Sequence, residues 1–451
     1  MAIKRVLVAN RGEIAARVVR ACHALGREAI AAHSEADANG LSVQLADGAA
    51  HIGGARPNES YLIPEKLIEA ARETGCDALH PGYGFLAESP VLAQQCADAG
   101  IAFIGPDAES IRRMGNKLEA RAAAGDWGVP VAPGSLQVHD WREAKEIGDE
   151  IGYPLMVKAA AGGGGRGIKI IRNEGEIEAA VTTAAAEAMA AFGDDALFVE
   201  RYIEDARHIE VQILGDSHGN VVHVGERDCS LQRRYQKAVE EAPAAMIPVA
   251  MRDAIRESAV TIAQKIGYRN AGTVEFIADQ SSGQFFFLEM NTRIQVEHPV
   301  SEMITGIDLV EAQIKIADGD PLPFAQSDIE FSGHAIEVRV TAENAAAGFQ
   351  PSPGEITRWV PPEGDGVRLD THCHEGAVVT PFYDSLLAKL IVHAPTRMRA
   401  VAKLQQALDD FEVEGVTTTI PFLRRLSAEL DYVRGEFNTR WLEQNLDDLT
   451  G

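Results

Sequence analysis

The sequence predicts a mixed chain, α/β over its first hundred residues and α+β beyond, and three observations carry that expectation. Short apolar runs first alternate with helix-length amphipathic segments, the pattern of a parallel sheet joined by crossover helices. Four consecutive glycines, Gly162–Gly165, then separate two apolar runs that read as strands. From about residue 196 the hydrophobic period becomes two, broken by turn residues, as hairpins require.

Size and charge narrow the function classes. At 451 residues the chain is long enough for more than one domain with sizeable cores. Forty-two basic against 67 acidic residues give a net charge of −25, which argues against nucleic acid or an anionic membrane as partner. No apolar run approaches the ~18 residues of a membrane span. Met1-Ala2-Ile3-Lys4 leads directly into a strand, leaving no room for a signal peptide. Five scattered cysteines, an odd number, suit a reducing compartment, so a cytoplasmic location is expected.

In order, Arg5–Ala9 reads as a buried strand followed by a helix ending near Gly26, with the next strand at Ala29–Ala32. A helix near Tyr61–Thr74, a strand at Asp77–His80, a helix at Pro90–Ala99 and a strand at Ile101–Ile104 continue the alternation. The turn after the first strand has one glycine, not the three of a dinucleotide fingerprint, so a nicotinamide-dependent dehydrogenase is disfavoured. His80-Pro81-Gly82-Tyr83-Gly84-Phe85 follows a strand's carboxyl end, where glycines let backbone approach a ligand; a tight turn with a packed Tyr reads equally well.

A helix is expected over Ala108–Gly125, carrying Lys117, and Pro130, Pro133 and Gly134 mark a boundary. Tyr153–Lys158 is a strand that runs into the glycines and returns as Ile168–Ile171. Four glycines cost backbone entropy, so a plain hairpin rarely uses them; a mobile flap whose amides wrap phosphate oxygens does. No Lys follows Gly167, which excludes a Walker loop. Lys158 and Lys117 are candidate phosphate partners.

An alanine-rich helix at Glu174–Ala191 and a strand at Ala196–Ile203 come next, then a hairpin of His208–Leu214 with Val221–Val224. Arg233, Arg234 and Lys237 form a basic cluster suited to a small anion. A helix is expected at Ala250–Ile266. Beyond residue 300 the pattern predicts a helix at Ile307–Ala317, a strand at His334–Val340, further strands to about Val392 and closing helices. His372 and His374 could converge on a metal, but surface placement is the expectation.

The richest stretch is Glu289–Glu297. Read as one strand, it places Glu289, Asn291, Arg293, Gln295 and Glu297 on a single face. Upstream, two aromatic runs flank Ser281-Ser282-Gly283, a hairpin signal. Pairing about Ser282 puts Val274, Phe276, Leu288 and Met290 on an apolar face and sets Glu275 opposite Glu289. Opposed like charges destabilise a ladder, and a divalent cation with oxygen ligands, magnesium or manganese, resolves the conflict. Flap, lysines and carboxylate pair together describe ATP-dependent formation of an acyl phosphate. Glu297 is the candidate base and Arg293 a candidate anion clamp. The spacing does not name the nucleophile.

With Gly162–Gly167, Glu226–Pro243 and His80–Phe85, the run Glu289–Val300 resembles the biotin carboxylases of the ATP-grasp superfamily. The resemblance spans essentially the whole chain, from Val8–Ala15 to Phe382–Ser385. It implies an N-terminal Rossmann-like domain over 1–115, a linker and glycine-rich lid over 116–204, and an ATP-grasp core with a mixed C-terminal domain over 205–451. On the resemblance, ATP would contact Lys117, Lys158, Gly162, Gly163, Gly164, Gly165, Glu200, Ile203, His208, Gln232 and Tyr235. Glu275, Glu289 and Asn291 would hold the metals. Lys237, Arg293, Gln295 and the Val296 backbone would hold bicarbonate, which Glu297 would deprotonate. Arg339 would stabilise the biotin enolate, with Tyr83 and Gly84 near biotin.

The implied activity is ATP- and bicarbonate-dependent carboxylation of biotin through carboxyphosphate, the first half-reaction of an acyl-CoA carboxylase. The chain contains no Met-Lys-Met sequence. Biotin is therefore expected on a separate carrier protein, with separate carboxyltransferase subunits and a homodimeric carboxylase, most like the subunit of acetyl-CoA carboxylase in fatty acid synthesis. Propionyl-CoA or another acyl-CoA carboxylase, or an ATP-grasp ligase with a different acceptor, are the alternatives. Two departures from the family pattern are Tyr235, where many relatives carry His, and Glu343-Asn344-Ala345-Ala346, where an acidic-Pro sequence is usual.

Overall fold

The computed structural model describes residues 3–135, 137–160 and 168–451. The alternating N-terminal segment forms a five-stranded parallel sheet in the order Gly48–Gly53, Glu28–Ser34, Arg5–Val8, Ala78–His80, Ala102–Phe103. The strand Gly48–Gly53 was not expected. It lies at the sheet edge and buries only Ile52, so its alanines and glycines carry little hydrophobic signal. Helices Gly12–Ala24, Pro64–Glu73 and Pro90–Ala99 fall where the alternation predicts them.

The helix expected over Ala108–Gly125 is two helices, Ala108–Gly115 and Lys117–Asp126. Asn116 breaks it: its backbone is extended, and its side chain accepts from the amides of Leu118 and Glu119. Such N-capping starts a new helix, so Lys117 projects from a helix's first residue.

A small three-stranded sheet, ordered Lys169–Ile171, Leu155–Ala159, Leu197–Arg201, packs with helices Trp141–Ile151 and Ile177–Phe192 around its own core of Leu155, Val157, Ile171, Ala184 and Val199. A 3-10 turn, Glu174–Glu176, precedes the second helix, which therefore starts later than expected. The flap glycines Gly162–Gly167 lie outside the described residues.

The larger sheet has eight antiparallel strands, in the order Gln284–Asn291, Asn270–Asp279, Ala206–Gly215, Val221–Arg233, Gln236–Ala242, His334–Thr341, Leu386–Ala394, Val367–Thr371. It is continuous from the carboxylate hairpin to the C-terminal strands. Strand Val221–Arg233 is far longer than the Val221–Val224 expected, and its hairpin with Gln236–Ala242 was missed. The two turn residues, Arg234 and Tyr235, have φ of 49° and 64°. The left-handed pair suits a two-residue hairpin, but the usual Asn-Gly signal is absent. This geometry also removes Arg234 from the expected basic cluster. Lys237 and Arg233 both line the cleft, Arg233 lying over the Phe349 ring at 3.8 Å, whereas Arg234 is exposed.

Two corrections concern the carboxylate hairpin. The ladder does pair Glu275 with Glu289 and Val274 with Met290, but a bulge after Glu275 shifts the rest, pairing Phe276 with Phe287. Phe287, not Leu288, therefore enters the core beside Val274, Phe276 and Met290. The strand also ends at Asn291 rather than running to Glu297. Arg293 and Gln295 sit on a connecting loop, and Glu297 is the N-cap residue of helix His298–Thr305.

Candidate active site

One cleft of about 1390 Å³ lies between the N-terminal sheet, the small sheet and the eight-stranded sheet. Every described site residue named from the sequence lines it: Tyr83, Gly84, Lys117, Lys158, Glu200, Ile203, His208, Gln232, Tyr235, Lys237, Glu275, Glu289, Asn291, Arg293, Gln295, Val296, Glu297 and Arg339. These residues span more than 250 positions of sequence, so the tertiary fold alone assembles them.

Strand pairing builds the floor. Glu289, Glu275, Glu210 and Arg227 occupy facing positions on four successive strands. Three carboxylates in a row would repel strongly in a medium of low dielectric. Cations meet each one. Lys117 Nζ lies 2.8 Å from Glu289, Lys237 Nζ donates to Glu275 at 3.0 Å and to Glu210, and Arg227 donates to Glu210. Arg227 is completely buried and also donates to Gln212 (2.9 Å), Ser301 (3.0 Å) and Thr273 (3.1 Å). His208 Nε2 lies 3.0 Å from Glu275, whose other oxygen accepts from Asn291 (2.8 Å) and Gln295 (3.1 Å). Burial pushes the Glu275 carboxyl up, but Lys237 and His208 outweigh it and hold it below its ordinary value.

Glu210 and Arg227 escaped the sequence reading. The available signal was the alternation His208-Ile209-Glu210-Val211-Gln212, which puts three polar groups on one face of a strand that is buried on both.

Glu297 is wholly buried. One oxygen accepts from Lys237 Nζ at 2.6 Å, the other from Arg339 Nη2 at 3.0 Å. Burial alone would raise its pKa, yet Lys237, Arg339 and Arg227 hold it well below the usual carboxylate range. It is therefore ionised at neutral pH. Arg293 donates to Glu88 at 2.9 Å and to the Gln295 side chain at 2.8 Å. The Val296 carbonyl accepts from the buried Lys389 at 2.9 Å.

Also on the cleft wall, the Glu200 carboxylate is gripped by Lys158 and Arg121. Burial raises Glu200, but these two cations leave it below its ordinary value. Across the cleft Tyr83 donates to Glu13, and burial followed by the Glu13 charge pushes the phenol well above its usual pKa. The Tyr83 loop is fixed by Asn10, which donates to the carbonyls of Pro81 (2.7 Å) and Tyr83 (2.8 Å). Gly82, at φ 62°, permits this approach, because a Cβ there would sit 2.9 Å from Asn10 Nδ2.

His372 departs from its expected surface placement. It lines the cleft, with burial lowering its pKa to about 3, whereas His374 is exposed, so the two do not converge on a metal. Among the described residues the groupings able to ligate a cation are His208 with Glu210 and Glu275, and Glu210 with Cys229 and Glu297, all on this floor. No helix among the described residues is long and apolar enough to cross a membrane.

A buried, ionised carboxylate between two cations, with a second arginine alongside and a row of metal-competent carboxylates behind, defines an ATP-grasp type of ligase site. Family comparison agrees. Residues 2–111 match the N-terminal domain model of biotin carboxylase, 116–325 the ATP-binding domain of carbamoyl-phosphate synthase L chain, and 337–444 the C-terminal domain of biotin carboxylase. Biotin carboxylase 1 of Bacillus subtilis is 48% identical, covering 98% of each chain. The 2-oxoglutarate carboxylase small subunit of Hydrogenobacter thermophilus is 49% identical over 98% of this chain and 93% of that one. The structure of a biotin carboxylase–β-γ-ATP complex from Campylobacter jejuni superposes with a TM-score of 0.95 at 46% identity, covering 98% of this chain and 99% of the other. The chain belongs to the biotin carboxylase family and is an ATP-dependent ligase that carboxylates biotin.

Proposed function

We propose that this chain uses ATP and bicarbonate to carboxylate biotin on a carrier protein through carboxyphosphate, as the first half-reaction of a biotin-dependent carboxylase. The observation that carries the reading is Glu297, held ionised between Lys237 and Arg339 beside the clamp of Arg293 and Gln295. Lys117, Lys158, Glu200, Ile203, His208, Gln232 and Tyr235 bind the nucleotide. The carboxylates fit a divalent cation, since Glu275 and Glu289 present facing oxygens whose charge lysines now meet. Glu275, Glu289 and Asn291 would hold magnesium or manganese, which when bound neutralises charge on phosphate oxygens.

Bicarbonate is drawn to Lys237, Arg293, Gln295 and the Val296 backbone. Its negative charge engages Lys237 and so loosens that cation's hold on Glu297. The Glu297 pKa then rises toward a useful basicity, and the carboxylate takes the bicarbonate proton. The freed oxygen attacks the γ-phosphorus, giving carboxyphosphate and ADP. Carboxyphosphate releases carbon dioxide beside biotin, the remaining phosphate takes the ureido proton, and the nitrogen attacks carbon dioxide. Arg339 stabilises the enolate form of biotin, with Tyr83 and Gly84 along its approach.

The acceptor of the second half-reaction is acetyl-CoA in the reading the sequence favours. A 2-oxoglutarate carboxylase subunit at 49% identity, against 48% for the Bacillus subtilis biotin carboxylase, supports a 2-oxo acid as the alternative. The chain is proposed to act as a homodimer with carboxyltransferase subunits. Purified protein given ATP, magnesium and bicarbonate should release ADP faster when free biotin is added and should form carboxybiotin. ATP cleavage indifferent to biotin would instead favour a ligase with another acceptor, and copurifying carboxyltransferase identifies the second substrate.

A further inference from the structure

Behind Arg339 the large sheet carries two carboxyl groups that the reaction as described does not use. Glu240 and Glu337 are direct partners in the ladder between Gln236–Ala242 and His334–Thr341, and both are completely buried. Glu240 Oε1 accepts a hydrogen bond from Arg339 Nε at 2.7 Å and lies 2.6 Å from its Nη2 in an ion pair. The same Nη2 also reaches Glu297 at 3.0 Å. Both oxygens of Glu337, but only Oε2 of Glu240, have no hydrogen-bond partner among the described residues.

We propose that Glu240 is the positioning residue for Arg339 in biotin carboxylation, and that Glu337 stays protonated so that Glu240 can be the anion of the pair. The inference rests on the role given to Arg339 above.

Two anions side by side in a dry interior are not both retained when one can take up a proton. The surroundings decide which. Glu337 is paired with Glu240 on one neighbouring strand and with Ile391 on the other, where Lys389, opposite Arg339, is the nearby cation. Arg339 lies two residues along its own strand, with Glu297 and Tyr83 beyond. Val300 and Ile304 of helix His298–Thr305 close over this part of the face beside Ala335 and Ile391. Helix Arg397–Asp410 packs the opposite face with Ala400, Val401 and Leu404. Lys389 is already committed to Glu13 (3.1 Å) and the Val296 carbonyl (2.9 Å). Burial, reinforced by Glu240 and Glu297 against Lys389 and Arg339, keeps the Glu337 carboxyl well above its usual pKa. Glu240 faces Glu337, Glu297, Lys237 and Cys229 as well as Arg339. Burial raises it to about 7, partly countered by Arg339.

The arrangement has a mechanistic use. Arg339 must leave Glu297 for that carboxylate to become basic, and a guanidinium set free would lose its aim at biotin. The Nε hydrogen bond and the ion pair to Glu240 keep it aimed while the bond to Glu297 is released. The anchor exists when Glu240 is ionised, so it is present above about pH 7 and fades as the pH falls through that value.

The experiment follows carboxybiotin formation and bicarbonate-dependent ATP cleavage without biotin, each against pH. For wild type, carboxylation should fall below about pH 7 while ATP cleavage persists to lower pH. Glu240→Gln should reduce carboxylation by about tenfold or more, the effect of losing a hydrogen bond between charged groups, and remove its acid limb, while ATP cleavage changes far less. Glu241→Gln, one residue away but on the opposite face against His334 and Arg397, should leave the ratio of the two activities unaltered. Glu337→Gln should leave the acid limb in place, because the group it replaces is already neutral. A limb displaced by a pH unit or more in that variant overturns the protonated Glu337, and equal loss of both activities in Glu240→Gln overturns the anchor. The wild-type profiles serve alone if a variant does not fold: identical acid limbs for the two activities overturn the anchor and leave the functional reading standing. ATP cleavage without carboxybiotin at any pH overturns both.

Discussion

Glu275 stands directly opposite Glu289 in the ladder of the hairpin Asn270–Asn291, and on its other side directly opposite Glu210. Lys117 and Lys237 reach the outer and inner members of this row and offset the repulsion. A bound metal would share that task with the lysines.

Removing one carboxylate should therefore weaken metal use before it weakens folding. Glu289→Gln is expected to raise the magnesium concentration needed for half-maximal ATP cleavage by at least about tenfold, since even groups behind metal ligands cost that much. An unchanged magnesium titration would remove Glu289 from the metal site.

Glu297→Ala should abolish bicarbonate-dependent ATP cleavage, by about 10²–10⁴-fold, as loss of a general base does. ATP binding measured by calorimetry should stay near wild type, because Glu297 bonds Lys237 and Arg339 rather than any residue proposed for the nucleotide. Turnover at the wild-type rate would show that Glu297 is not the base.

Arg339→Ala should harm carboxybiotin formation more than biotin-independent ATP cleavage. Its side chain bonds Glu240 and Glu297 rather than the lysines proposed for phosphate. Equal loss in both assays would count against a role toward biotin.

Arg227→Met should destabilise the fold. The change leaves Glu210 buried with only Lys237 to meet it and strands the acceptors on Gln212 and Ser301. Breaking a buried pair costs about 3–5 kcal/mol, readable as a lowered denaturant midpoint. A midpoint within error of wild type would show that the triad of Arg227, Glu210 and Lys237 contributes little.

Acid stability should depend on Glu241. Burial pushes this carboxyl up, but the His334 hydrogen bond and Arg397 outweigh it and depress it to about 2. A depressed folded pKa gives stability that is complete above the unfolded value and is lost as the pH falls from there toward 2. The stability difference between wild type and Glu241→Gln should shrink as the pH drops from about 5 toward 3. A constant difference across that range would assign the effect to packing.

Much of the site was legible because strand periodicity is local. Glu275 facing Glu289 followed from the residues around Ser282, and a bulge displaced only the aromatic half of that register. The long strand Val221–Arg233 was not legible, since its hairpin turns on Arg234 and Tyr235 rather than on glycine. Gly48–Gly53 was missed because an edge strand of small residues buries too little to show an apolar period.

The sequence by itself determined the parallel N-terminal sheet, the carboxylate hairpin and, by resemblance, the biotin carboxylase family. Those signals reside in short-range patterns of polarity and in motifs read without coordinates. Only the tertiary structure decided where the face of Glu289–Glu297 divides. The strand stops at Asn291, and a loop and a helix start carry Arg293, Gln295 and Glu297 onward. It also decided which cation meets which carboxylate, because Glu210, Glu240 and Glu337 acquire their partners from strands far apart in the chain. Period two can say that a carboxylate faces inward; the neighbouring strand determines whether it is an anion, an anchor or an acid.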